Sequence, residues 1–198
     1  LDAAATAVTA ANVSGFETLR LDTAALTQDM AVFSTNNAGI TTLDVNVAGA
    51  ATFTNVADTV TTLQNTTTGG TATLTRLVDG TTNALTIAAD DSNATTSQGV
   101  TTFAAVTAVN EETITLTSGS NAAEILTVTT LTVADLTTLN LTGTANVVVT
   151  NAIAGATSLA TVDASALTGA STVNASASTV ALTMTAGAGA ATYTGGSG

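Results

Sequence analysis

Short stretches in which bulky apolar and small polar residues alternate recur along this chain, and they constrain its fold more than any other feature. Three of them follow one another within residues 124–151. The segments Thr127-Val128-Thr129 and Leu139-Asn140-Leu141-Thr142 have the two-residue period of a strand with one buried face. The strand centres lie roughly 10 to 12 residues apart, a spacing compatible with one coil of a stacked solenoid.

The same alternation predicts strands elsewhere, separated by turns that are rich in Gly and Asn. Such residues tolerate the left-handed backbone of tight corners. The longest interruption, residues 90–99, is polar and predicts a loop that protrudes from the stack. The further predicted strands cover residues 42–47, 71–78, 84–88, 157–163, 172–175, 180–185 and 191–194.

The side chains available for a core are small. Thr makes up about a quarter of the chain and Ala about a fifth, aromatic residues only 3%, and there is no Trp. Thr and Val are β-branched and favour extended backbone. The composition therefore predicts an all-β chain with a thin, repetitive core.

Two architectures fit short alternating strands: a parallel β-solenoid and an antiparallel β-sandwich. The sandwich predicts two-residue hairpins, and only Asp79-Gly80 fits one. The solenoid predicts small, similar residues stacked from coil to coil with polar corners, so we favour it. We expect an irregular solenoid over residues 1–120 and a more regular one over residues 121–198.

The net charge of −12 limits the classes of partner. Fourteen acids face only two basic residues, Arg20 and Arg76, so the chain has almost nothing to neutralise nucleic-acid phosphates. The same imbalance argues against adsorption to anionic lipid, and no apolar run is long enough for direct membrane insertion. Most of the acids are therefore either solvated or face a cation.

Acids at corners, next to Gly and Asn, supply the oxygen ligands that Ca²⁺ prefers. For each candidate the alternative is a solvated loop acid or a turn former, and Asp58 and Asp135 are weaker candidates because an Asp at a strand entry often accepts backbone N–H bonds. The candidate calcium ligands are Asp79, Asp90, Asp91, Glu111, Glu112 and Asp163.

Catalysis is poorly supported by the residue types present. The chain has no His and no Cys, so the usual general bases and nucleophile pairs are missing. Two carboxylates could cleave glycosides in principle, but the basic and aromatic residues that would hold sugar are scattered. We expect a protein that is not an enzyme.

Three segments resemble bacterial RTX-type surface-layer proteins: residues 15–21, residues 161–169 and residues 192–198. Gly195-Gly196-Ser197-Gly198 matches the first four positions of the calcium-binding nonapeptide G-G-x-G-x-D-x-U-x, while the Asp of that motif is not in this chain. The resemblance implies a Thr/Ala-rich β-solenoid that runs into calcium-binding repeats. It also implies secretion by a type I pathway, self-assembly into a lattice outside the cell, and calcium as the structural cofactor.

The resulting hypothesis is a structural protein, a segment of an extracellular bacterial surface layer or filament stabilised by Ca²⁺. We expect the chain to be a piece of a longer protein, partners that are copies of itself, and contact with cell-surface polysaccharide only through another domain. An adhesin or filament stalk is one alternative. Another is an ice-binding solenoid, because the repeated Thr-x-Thr steps resemble ice-binding faces. Uneven strand spacing counts against that second alternative.

Overall fold

A computed structural model describes residues 3–5, 14–65, 68–89 and 99–198. Sixteen strands and one 3₁₀-helical turn, Met30–Phe33, make up its regular structure. Consecutive strands alternate between two eight-stranded sheets. The first sheet contains β1 Thr18–Leu21, β3 Thr42–Val45, β5 Thr62–Asn65, β7 Ala84–Ala89, β9 Thr113–Thr117, β11 Thr138–Gly143, β13 Thr161–Leu167 and β15 Thr183–Thr185. The second contains β2 Leu26–Asp29, β4 Ala50–Val56, β6 Thr68–Arg76, β8 Thr101–Thr107, β10 Leu126–Thr132, β12 Val147–Val149, β14 Ser171–Asn174 and β16 Ala191–Thr194.

Every pairing between these strands is parallel, and each strand pairs with the strands one turn before and after it. The predicted β-solenoid is therefore confirmed, with about seven turns. The alternative of an antiparallel sandwich is wrong. Both sheets continue across residue 120, since β8 pairs with β10 and β9 pairs with β11.

One turn of the solenoid contains two strands, one from each sheet. Thr18 lies beside Thr42, Thr42 beside Thr62 and Thr73 beside Thr107, so a turn takes about 20 to 35 residues. The spacing of 10 to 12 residues between strand centres thus corresponds to half a turn and not to a whole coil. The sequence pattern located many of the strands but not β2, β4 or β8, and it could not show which strands become neighbours.

Side chains along each strand point alternately into the core and toward the surface. In β9 and β11 the Leu and Ile side chains are buried between the sheets, and the Thr side chains point outward and are half-buried. Most parallel sheets are covered on both faces and have continuous apolar strands. Here the outer faces are open, and rows of Thr cover them.

The inward side chains stack in columns along the rod. One column in the first sheet consists of Leu19, Leu43, Leu63, Ile87, Leu116 and Leu141, each beside the next in register. All six are buried. Burial of a side chain of this size contributes roughly 1.5–3 kcal/mol, so the columns hold successive turns together.

Threonines at the corners add a second kind of link between turns. The hydroxyl of Thr137 donates to the carbonyl of Glu112 at 3.0 Å, and the hydroxyl of Thr144 donates to the carbonyl of Gly119 at 2.9 Å. Each bond joins residues that are 25 positions apart. Threonine therefore stabilises the corners through hydrogen bonds between turns, in addition to covering the outer faces.

Close stacking of the turns requires glycine at the corner after β13. A Cβ at Gly169 would collide with the backbone carbonyl of Ala145 in the turn below. We expect Gly169→Ala to destabilise the protein by about 1–3 kcal/mol, because backbone must move to admit the methyl group. Urea denaturation followed by circular dichroism measures this.

Gly39→Ala is the matched control for Gly169→Ala, because nothing lies within 4 Å of a Cβ at Gly39. It should leave the midpoint of denaturation within error or raise it slightly. Equal midpoints for the two variants would contradict the close stacking at Gly169.

Candidate metal site

One long edge of the rod consists of the turns that lead from the second sheet back to the first. Four successive turns of this edge, residues 57–61, 77–83, 108–112 and 133–137, carry outward or partly exposed acids. We call these turns the acidic edge. Its acids are Asp58, Asp79, Glu112 and Asp135.

Three of these acids converge. One carboxylate oxygen from each of Asp79, Glu112 and Asp135 lies within 4.8 Å of the other two. Asp79 and Asp135 are exposed and Glu112 is half-buried. Asp79 and Glu112 were predicted calcium ligands, and Asp135 was a weaker candidate.

Hydrogen bonds to neighbouring turns hold Glu112 in the middle of the cluster. Its backbone N–H donates to the carbonyl of Asn83 at 3.0 Å, and the backbone N–H of Asn83 donates to Glu112 Oε2 at 2.6 Å. The next turn of the acidic edge is held by a similar hydrogen bond, since the backbone N–H of Thr137 donates to the Glu112 carbonyl at 2.9 Å. The ladder that stacks the turns thus also sets the positions of the carboxylates.

The cluster concentrates negative charge, and both basic residues of the sequence are paired with other acids. Arg20 is within 3.1 Å of Asp22, and Arg76, beneath the cluster, is buried against Glu111. Three carboxylates this close repel one another unless a cation or water screens them. Thr81, Thr137 and Ser158 line the same cleft and provide further oxygen atoms.

The spacing fits a bound calcium ion. Calcium–oxygen distances of about 2.3–2.6 Å let two ligands on opposite sides of the ion be about 5 Å apart. The 4.8 Å limit on the three carboxylate oxygens lies within that separation. Hydroxyls from the cleft and water would complete the six to eight oxygens that calcium takes.

Glu111, the sequence neighbour of Glu112, is not in the cluster. It points into the solenoid and is fully buried, with its two carboxylate oxygens 2.6 and 3.0 Å from the guanidinium of Arg76. Burial raises the pKa of Glu111, and the hydrogen bond and charge of Arg76 oppose that rise. These two adjacent glutamates, both predicted calcium ligands, are therefore divided between the interior and the surface.

Arg76 uses all its N–H groups inside the acidic edge. Besides Glu111, it donates to the backbone carbonyls of Ala57, Val60 and Ala84 at 3.1, 2.8 and 3.0 Å. These partners belong to successive turns. The ion pair therefore ties those turns together beneath the carboxylate cluster.

The other predicted ligands lie apart from this site. Asp163 is on the outer face of the first sheet, between Asn140 and Thr185. A hydrogen bond of 2.8 Å from the backbone N–H of Ser165 lowers the pKa of Asp163. Asp90 and Asp91, with most of the predicted protruding loop, lie outside the described residues.

A buried acid on the opposite edge, Glu124, was not among the predicted site residues. Glu124 is fully buried, and the backbone N–H and side-chain amide of Asn121 both donate to its carboxylate at 2.9 Å. The signal available was the turn Gly119-Ser120-Asn121, whose polar groups suit a carboxylate. Glu124 therefore stabilises a turn, which is one of the alternative roles that the sequence left open for each candidate ligand.

The fold and the cluster together define a class: a two-sheet parallel β-solenoid with an acidic edge. Comparisons with protein-family models, with curated proteins and with solved structures gave no match to this chain. Within the described residues no helix is both long and apolar enough to cross a membrane.

Proposed function

We propose that this chain is a structural segment of a secreted bacterial protein that assembles with copies of itself at the cell surface, and that Ca²⁺ bound at the acidic edge stabilises it. The observation that carries the proposal is the convergence of Asp79, Glu112 and Asp135 from three successive turns. A cation there links turns that are otherwise pushed apart by like charges. Rigidity of the rod then depends on calcium.

The shape and the residue types also support a structural role. A stack of thin turns with long, repetitive faces offers extended surfaces rather than a single enclosed site. The net charge of −12 keeps copies apart at low ionic strength, so a divalent cation is a natural condition for their assembly. The resemblance of residues 192–198 to a calcium-binding repeat supports the same cofactor.

Calcium should raise the stability of the isolated chain by about 0.5 to 1.5 kcal/mol at a concentration of about 1 mM, given the affinities typical of extracellular sites. Thermal denaturation in excess chelator and in added CaCl₂ measures this. The variant Asp135→Asn should lose most of the calcium-dependent stabilisation. In chelator it should be at least as stable as the wild type, because one repulsive charge has gone.

Asp58→Asn is the matched control for Asp135→Asn, since Asp58 lies on the acidic edge but outside the cluster. It removes the same charge and should keep the calcium response of the wild type. A calcium response that is unchanged in Asp135→Asn, or lost equally in both variants, would overturn the assignment of the site.

Electron microscopy and light scattering with and without calcium test the assembly itself. We expect sheets or filaments in calcium that chelator disperses and added calcium restores. Assemblies that persist in excess chelator would contradict the role of calcium, and an absence of ordered assemblies in calcium would contradict the structural proposal.

A further inference from the structure

Three successive corners that lead from the second sheet back to the first differ in length. Twelve residues, 30–41, join β2 to β3, while five residues, 57–61, join β4 to β5, and seven residues, 77–83, join β6 to β7. A corner of five residues reaches less far outward than its longer neighbours on either side. The short corner therefore leaves a recess between them.

Apolar side chains from all three corners line most of this recess, which we call the apolar groove. Met30, Phe33, Ile40 and Val60 are buried along it, and Leu77 is 54% exposed. The groove has a volume of about 110 Å³. Since a cavity of about 150 Å³ holds a benzene ring, the groove is large enough for one aliphatic side chain.

The apolar surface continues beyond the groove. Leu77 and Val78 are more exposed than any other large apolar side chain among the described residues. Single exposed apolar residues are common on protein surfaces, but a contiguous apolar patch marks an interaction site. Three other clefts in the described part of the chain differ from the groove, because polar side chains make up most of their lining.

Acids stand at the rim of the apolar groove. Asp29 is exposed, and its carboxylate accepts hydrogen bonds from the backbone N–H of Ala31 at 2.9 Å and from the side-chain amide of Asn55 at 3.0 Å. Ala31 and Asn55 both line the groove. Asp58 is exposed in the short corner, between two residues of the lining. The rim therefore has a negative potential.

Neither arginine of the chain offsets this charge at the groove. Arg76 precedes Leu77 but is buried against Glu111, where its guanidinium also donates to backbone carbonyls. Arg20 lies on the first sheet, 3.1 Å from Asp22. An apolar groove with an acidic rim is complementary to an apolar side chain that is flanked by basic residues.

We propose that the apolar groove docks a basic segment of a partner protein, with one bulky aliphatic side chain in the groove and lysine or arginine beside Asp29 and Asp58. Burial of the anchor supplies most of the affinity, and the charges at the rim orient the segment. This partner differs from the copies of the chain in the proposed assembly. Docking does not rest on calcium, because neither Asp29 nor Asp58 belongs to the carboxylate cluster.

A second copy of the chain fits the groove less well. Each copy has a net charge of −12, and of its two arginines only Arg20 is exposed. Another copy would therefore bring acids rather than bases to the rim, and like charges placed together at an interface oppose binding.

Titration of the isotope-labelled full chain with capped pentapeptides, followed by NMR, tests the proposal. A peptide with a central leucine between two pairs of lysines should bind saturably and shift the amide resonances around the groove. A peptide with glutamates in place of the lysines keeps the anchor, and one with serine in place of the leucine keeps the charge. Each should bind at least about tenfold more weakly.

Variants locate the binding site of the lysine–leucine peptide. Leu77→Ser removes the exposed wall of the groove and should weaken binding about tenfold. Val100→Ser is its matched control, because Val100 is 47% exposed on the opposite edge of the rod, and it should leave binding unchanged. Asp58→Asn should weaken binding about twofold to fivefold. Asp163→Asn removes the same charge from the outer face of the first sheet and should have no effect.

Circular dichroism checks that each variant folds. If Leu77→Ser does not, Ala38→Lys takes its place, because Ala38 is exposed and lines the groove, and a lysine there should repel the peptide. The proposal is overturned if the lysine–leucine peptide does not bind, if either altered peptide binds equally well, or if Leu77→Ser and Val100→Ser lose binding equally. Self-association that Leu77→Ser abolishes, without peptide binding, would identify a second copy as the occupant and would also overturn it.

Discussion

Replacing Arg76 with methionine should destabilise the solenoid by about 3–5 kcal/mol, because the change leaves the carboxylate of Glu111 buried without its counterion. Both side chains are almost completely inaccessible, and the guanidinium also holds three backbone carbonyls of neighbouring turns. Chemical denaturation at neutral pH measures the loss. Because the ion pair spans several turns, we expect the transition to shift as a whole.

The pH dependence of the Arg76→Met variant provides a sharper test than its stability at one pH. Burial already raises the pKa of Glu111, and removal of Arg76 should raise it further. A carboxyl group with a raised pKa in the folded state loses its stabilising contribution as pH rises through that pKa. The deficit of Arg76→Met relative to the wild type should therefore be smaller at about pH 5 than at neutral pH.

Two further variants separate the ion pair from general effects of losing an arginine. Arg20→Met removes an arginine that is nearly half exposed and lies 3.1 Å from Asp22 and 3.6 Å from the buried carboxylate of Asp44. Because the Arg20 side chain stays largely in water and its contact with Asp44 is long, this change should cost clearly less than Arg76→Met. The double variant Arg76→Met/Glu111→Leu should be more stable than Arg76→Met alone, because no uncompensated charge remains. If Arg76→Met and Arg20→Met had equal effects, the buried pair would not have the role assigned to it.

Truncating Phe103 to alanine should cost about 3–5 kcal/mol through lost burial and the cavity left behind. Phe103 is fully buried in β8 and, with Phe53, is one of the two largest fully buried side chains among the described residues. In a core composed mostly of Leu, Val, Ile and Ala, small neighbours cannot extend into the space of a lost ring. Denaturation with urea, monitored by circular dichroism, gives the change in free energy of unfolding.

Phe16→Ala removes the same side chain from a position where it is 51% exposed. We expect a change of less than about 1 kcal/mol, because little apolar surface is taken from water there. Comparable losses for Phe103→Ala and Phe16→Ala would contradict a thin core that depends on a few large side chains.

The positions of many strands, and which of their side chains face inward, could be predicted from local pattern alone. The alternation in residues 124–151 corresponds to β10, β11 and β12, and the residues that alternate inward there, such as Val128 and Leu139, are buried. Local chemistry suffices for this, because successive side chains of a strand point to opposite sides. Glu111 and Glu112, both predicted calcium ligands, lie in a corner outside β9, where the first is buried and the second is half-buried in the acidic cluster.

The candidate site depends on contacts that no local pattern contains. Asp79, Glu112 and Asp135 are far apart in the sequence and meet only because each lies in the same corner of a different turn. Turn lengths differ along the chain, so the residues that stack at a corner cannot be counted from a fixed period. The sequence could therefore neither place Asp135 beside Asp79 and Glu112 nor show that Glu111 is buried against Arg76.

The sequence by itself determined the β class, the inward and outward sides of the strands that it located, the thin core and the net charge. These follow from residue types and from the two-residue period of side chains within one strand. Only the tertiary structure decided that a turn contains two strands and that three acids converge while Glu111 turns inward to Arg76. The physical reason is that register between turns results from packing of the buried columns, which selects neighbours across 20 residues or more while the corners accommodate the differences in length.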